Sequence, residues 1–94
     1  GLPGAAFVAC AMTQQGEMAD DPEGDLVGMP ENNAAGELLD DIVFDVVVAT
    51  IEGLPKPRRR DPDALGESVR RAVRSALSEQ WGKKPICIVH VLTV

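Results

Sequence analysis

The last nine residues, Ile86–Val94, constrain this chain more than any other stretch. They alternate as a strand, with Ile86, Ile88, His90, Leu92 and Val94 on one face and Cys87, Val89, Val91 and Thr93 on the other. Successive strand side chains point to opposite sides, so both faces of this strand are apolar and both need cover. The segment from Ala5 to Thr13 makes the same demand, setting Phe7, Ala9 and Ala11 against Ala6, Val8, Cys10 and Met12. Gln14-Gln15-Gly16-Glu17 then supplies a turn.

Two helices lie between these strands. Asp61 is a good N-cap, and Pro62 sits where a missing N–H does no harm. From there Leu65, Val69, Ala72, Val73, Ala76, Leu77 and Trp81 form one apolar stripe. Gly82 ends this helix, Lys83 and Lys84 face the negative end of its dipole, and Pro85 prevents continuation. The earlier helix runs from Glu37 to Glu52, where Leu38, Leu39, Ile42, Val43, Val46, Val47, Thr50 and Ile51 recur at helical spacing and Asp40, Asp41 and Asp45 take the other side. The β-branched run Val46-Val47-Val48 pulls towards strand. The length of the segment and the Gly53–Pro55 stop favour helix. Glu17–Asn33, rich in Asp, Glu, Pro, Gly and Asn around Leu26, Val27 and Met29, reads as an exposed acidic loop carrying one short strand.

The expected fold class is therefore α+β: a small sheet of about three strands with two helices packed on one face, in the order β-β-α-α-β. Two helices cover only one side of such a sheet. The other side needs a second chain or the rest of a parent protein. The candidate assembly interface is the strand face Cys87, Val89, Val91 and Thr93.

Ninety-four residues make one domain, 1–94, near the lower end of independent stability. The only aromatics are Phe7, Phe44 and Trp81, so aliphatic residues must fill the interior. The chain starts without Met at Gly-Leu-Pro-Gly and enters an apolar strand almost at once, which reads as a piece excised from a longer protein. Two cysteines are too few for a secreted disulfide scaffold, and no signal-peptide pattern precedes the first strand. These features point to a cytoplasmic chain with free thiols. No apolar run approaches the ~20 residues of a membrane span, so no membrane partner is expected.

Charge is divided along the chain. Residues 1–55 hold eleven acids and no base, for a sum of −11, and residues 56–94 hold nine bases and four acids, for +5. The net charge of −6 argues against a general nucleic-acid binder. Six arginines remain as candidate electrostatic or RNA contacts: Arg58, Arg59 and Arg60 before the second helix, and Arg70, Arg71 and Arg74 on its polar face. A planar guanidinium suits phosphate, but the sequence places no stacking aromatic nearby to read bases. A solvated or interdomain salt-bridging face is the first reading of these residues. An electrostatic contact with the acidic half of a second copy comes next, then an RNA backbone contact.

No catalytic apparatus is legible. Cys87 and His90 lie three apart on a strand and so point to opposite faces, and there is no second His. Asp20, Asp21, Glu23 and Asp25 lack calcium-loop spacing and read as a solvated loop. Phosphate-binding glycine loops and nucleophile-elbow motifs are missing from the sequence.

At Arg58-Arg59-Arg60-Asp61-Pro62-Asp63-Ala64, and again at Trp81-Gly82-Lys83-Lys84-Pro85, the chain resembles the C-terminal domain of ribonuclease J, especially the proteobacterial versions. That family is the RNA-degrading branch of the metallo-β-lactamase enzymes with an inserted β-CASP domain. The resemblance extends over nearly the whole chain in element order. It implies a noncatalytic accessory domain on a bacterial, zinc-dependent enzyme that degrades RNA from a 5′ monophosphate end and also cuts internally. It further implies a role in self-assembly and in full activity of the intact enzyme. The family's zinc-binding His-x-His-x-Asp-His motif is absent from these residues, so no catalytic or metal position carries over; zinc belongs to the parent's catalytic domain and RNA is met through the parent. The alternatives are an RNA-contacting module built on the Arg-rich helix and a regulatory domain that docks on a protein.

Overall fold

The structure, a computed structural model, describes residues 4–94; the Gly-Leu-Pro start lies outside the described residues. Strand β1 (Ala5–Met12) leads through a tight turn to β2 (Glu23–Val27). Helix α1 (Leu39–Gly53), a short helix α2 (Lys56–Arg59) and helix α3 (Pro62–Trp81) follow, and β3 (Ile86–Thr93) closes the order. The sheet order is β2-β1-β3, with β1 antiparallel to β2 and parallel to β3. Parallel neighbours need a long crossover, and the helices provide it. Helix α1 packs on α3 and on the β2 side of the sheet, while α3 packs on β3.

The core is one layer between sheet and helices. Ala6, Val8, Cys10 and Met12 of β1 and Cys87 of β3 meet Leu39, Val43, Val47 and Ile51 of α1 and Leu65, Val69, Val73 and Leu77 of α3. Each helix thus buries a four-residue stripe. Within α1, Thr50 Oγ1, half-buried beside this stripe, donates to the Val46 carbonyl at 2.7 Å and so is satisfied within the helix.

The expected order β-β-α-α-β is present with one addition, α2. Its four residues contain Pro57 and three bases and carry no apolar period, so periodicity does not reveal it. The predicted caps of α3 are in place. Asp61 Oδ1 accepts from the backbone N–H groups of Asp63 (3.1 Å) and Ala64 (3.2 Å). Gly82 is left-handed at φ 83°, and its N–H donates to the Ser78 carbonyl at 2.8 Å. The start of α1 differs from expectation, at Leu39 instead of Glu37, because Glu37 is held in a turn with Asn33 and Leu38 at the N-cap is extended. Asn33 organises this entry. Its Oδ1 accepts from the N–H groups of Ala35 and Glu37, and its Nδ2 donates to Glu37 Oε1 and to Gln80 Oε1 at the far end of α3.

The β1–β2 turn fixes the arginine triplet. Gly16 has φ 86°, and a Cβ there would lie 3.2 Å from Arg60 Cγ and 3.3 Å from Arg59 Cβ. Arg60 Nε donates to the Gln15 carbonyl and Arg58 Nη2 to Ser68 Oγ, each at 3.4 Å. Arg58 and Arg60 are thus engaged in holding α2 against the first turn and against α3.

Candidate functional site

The strand register lays out the two sides of the sheet row by row. Val27–Ala5–Ile86, Asp25–Phe7–Ile88, Glu23–Ala9–His90 and Ala11–Leu92 are neighbours on the side away from the helices. Leu26–Ala6–Cys87, Gly24–Val8–Val89, Cys10–Val91 and Met12–Thr93 lie on the other.

The residues of the expected interface lie on the side that faces the helices. Cys87 is only 8% exposed, and Val89 and Val91 pack against the core beneath α3. Thr93 is exposed at the end of the same side. The face left open is the alternate one: Phe7 (42% exposed), Val27 (51%), Ile86 (49%), Ile88 (41%) and Leu92 (59%), with His90 among them and Glu23 and Asp25 along β2. The physical reason is the closeness of α3. A Cβ on Gly66 would stand 3.4 Å from Val91 Cγ2, so the helix sits where Cys and Val fit beneath it. The bulkier Ile and Leu side chains occupy the side that has room. Sequence alternation groups these residues correctly but does not say which group meets the helices.

Cys87 and His90 lie on opposite sides of β3, as their spacing requires, and cannot share a ligand. In the β1–β3 register Cys87 pairs with Ala6, four residues from Cys10, which sets the two thiols roughly 13 Å apart along the strands. Both cysteines are free and buried. Burial pushes the Cys10 thiol up to about 11. It also raises Cys87, an effect opposed by the nearby Arg70 and Arg74 charges. Neither is thereby made a nucleophile at neutral pH. Among the described residues no three His, Cys, Asp or Glu side chains converge to hold a metal ion. No helix among them is long and apolar enough to cross a membrane.

The six candidate arginines fall into two groups. Arg58, Arg59 and Arg60 belong to the α2 brace. Arg70, Arg71 and Arg74 line an open groove of about 490 Å³ on the outer side of α3, together with Ser75, Ser78, Glu79 and Lys84. Arg70 is paired with Glu67 through Nε–Oε2 (2.9 Å) and Nη2–Oε1 (2.7 Å). The hydrogen bonds from Arg70 hold the Glu67 carboxyl below the usual range. Among the described residues, Arg71, Arg74 and Lys84 make no salt bridge. The sequence assigns Lys84 to the dipole end of α3 and does not group it with the arginines, because it lies beyond the helix that carries them. Pro85, next in the chain, is buried. Lys83 turns instead to Trp81, with its Nζ 5.3 Å from the ring centre.

The model of the ribonuclease J C-terminal domain matches residues 2–94. Ribonuclease J of Sinorhizobium meliloti (strain Sm2011 / Rm2011 / 2011) is 35% identical over 91 residues, which covers 97% of this chain and 16% of that protein. The chain thus spans about one sixth of the length of this relative. A fold of β-β-α-α-β order, the Arg58–Ala64 brace and the capped α3 occur here in a sequence matched from end to end, and the chain belongs to the ribonuclease J C-terminal domain family.

Proposed function

We propose that this chain is a noncatalytic assembly domain of a bacterial ribonuclease J. In this reading the parent enzyme is a cytoplasmic, zinc-dependent 5′-to-3′ exoribonuclease and endoribonuclease, and zinc and scissile RNA are handled outside these residues. The observation that carries the reading is the open sheet face. Five large apolar side chains on three adjacent strands, each about half exposed, make a contiguous patch of the kind that marks an interface. A second copy of the domain is the proposed occupant, so the homo-oligomer forms through this face. Glu23 and Asp25 flank the patch on β2 and His90 sits on β3, so a copy related by a two-fold axis could set carboxylates of one protomer near the imidazole of the other.

A domain without catalytic groups influences chemistry by positioning subunits or substrate. Deleting residues 4–94 from the parent should leave its metal content unchanged while lowering its mass in solution and its turnover of long RNA. Metal analysis, light scattering and degradation rates on truncated and intact enzymes test this together. A truncated enzyme that keeps both its oligomeric state and its full activity refutes the assembly role.

A further inference from the structure

We propose that the groove on the outer side of α3, formed by Arg71, Arg74, Ser75, Ser78 and Lys84, binds the phosphodiester backbone of single-stranded RNA. The proposal rests on the parent's being an RNA-degrading enzyme. The arrangement argues for a polyanion. Arg70 and Arg74 are one helical turn apart, about 6 Å along the axis, and Arg71 to Ser78 spans about 10 Å. Lys84 adds a cation from the segment entering β3. Cations and hydroxyls in a row suit a chain of separated phosphates, and arginine accepts their planar, two-oxygen geometry. Arg70 is partly neutralised by Glu67, and Glu79 is the one carboxylate lining the groove, which leaves Arg71, Arg74 and Lys84 as the free charges.

The lining also discriminates against a protein partner. All seven lining residues are polar or charged, with no aliphatic or aromatic anchor among them. The buried centre of a protein interface is more apolar than this lining. An RNA backbone needs no such anchor, and contacts to phosphate carry no base sequence, which agrees with a groove that lacks an aromatic platform. Asp40 and Asp41 do not cancel this site, since they line a different pocket, beside Phe44 where α1 meets β1 and β2.

The test uses the full-length enzyme and a labelled single-stranded RNA whose 2′-O-methyl groups block cleavage, with binding followed by anisotropy across a salt series. Each phosphate contact contributes about 0.7 to the salt slope for single strands, so losing one weakens binding about fivefold at 0.1 M salt and by little near 1 M. Arg74→Glu should show this loss and the smaller slope, and Arg74→Gln should show the same slope change. Lys56→Glu, which makes the same change of charge on α2 outside the groove, should leave affinity within twofold. Unchanged affinity in both Arg74 variants overturns the proposal. So does an equal loss in Lys56→Glu, which would indicate a general field and no site. A fall in mass in solution for Arg74→Glu, with RNA affinity retained, overturns it in favour of a contact with the acidic half of a second copy. Cleavage of a short unmodified oligonucleotide by the wild-type enzyme tests the ribonuclease reading separately.

Discussion

Threonine substitutions at adjacent positions of β3 separate assembly from folding. Ile88 lies on the open face at 41% exposure, and Val89, its neighbour in sequence, packs against the core on the other side. Fully burying an isoleucine side chain is worth about 1.5–3 kcal/mol, so covering the part of Ile88 that remains exposed is worth about 1 kcal/mol per copy. A two-fold interface holds the residue twice, which makes about 2 kcal/mol per pair, or roughly a thirtyfold change in dissociation constant. Ile88→Thr keeps a β-branched side chain suited to a strand and removes that apolar contact. It should shift the concentration dependence of mass, measured by sedimentation or light scattering, by about that factor, with a small change in melting temperature. Val89→Thr places a hydroxyl against the core at a cost of about 1–3 kcal/mol, and should lower the melting temperature while leaving the mass of the folded protein unchanged. If Val89→Thr dissociates the protein and Ile88→Thr does not, the helix-free face is not the interface and the reasoning from exposure fails.

Asp61→Ala removes an N-cap that accepts two backbone donors and should cost about 1 kcal/mol, read from chemical denaturation; a change within error would mean that the arginine brace alone fixes the start of α3. Leu77→Ala, at a fully buried position, should cost about 2–5 kcal/mol in the same assay. Cys10 should resist thiol reagents until the protein unfolds. Because burial raises its folded pKa above the ordinary value, its contribution to stability is complete below pH ~8.5 and is lost as pH rises towards about 11. Cys10→Val should therefore flatten the alkaline fall in melting temperature, and an unchanged pH profile would assign that fall to other groups.

What the sequence discloses follows from how local each signal is. Helix α3 was legible to within a residue at each end because Asp61, Pro62 and Gly82 act on their own backbone. The start of α1 was not, since Asn33 sets it partly through Gln80, forty-seven positions away. The purpose of Arg58-Arg59-Arg60 was hidden for the same reason, as the triplet is recognisable in the sequence but the Gly16 turn that receives it is distant in the chain. Alternation in β3 correctly separated two sets of residues, yet both sets were apolar, so hydropathy could not choose between them. Bulk was the available signal. Gly66 lets α3 approach β3 closely, with Val91 Cγ2 only 3.4 Å from where its Cβ would stand, and so close an approach calls for the smaller set, Cys87, Val89 and Val91, beneath it.

The two proposed surfaces face in different directions, and this has a consequence for long substrates. Arg71 and Arg74 project from α3 on the side opposite Leu65, Val69, Val73 and Leu77, and the open strand face lies beyond the sheet on which α3 rests. Two copies joined through their sheets would therefore leave both grooves outward and free, one on each flank of the assembly. A strand long enough to reach both gains the second contact at a high effective concentration, whereas a short strand fills only one. Ile88→Thr, which touches neither groove, should then weaken binding of long RNA by the full-length enzyme at concentrations where the wild type is assembled and the variant is not, and leave binding of a short oligonucleotide unchanged. Anisotropy titrations with the two lengths, run beside a mass measurement on the same samples, make the comparison. Equal affinities for long RNA in the assembled and dissociated forms would show that assembly does not act by joining the two grooves on one strand.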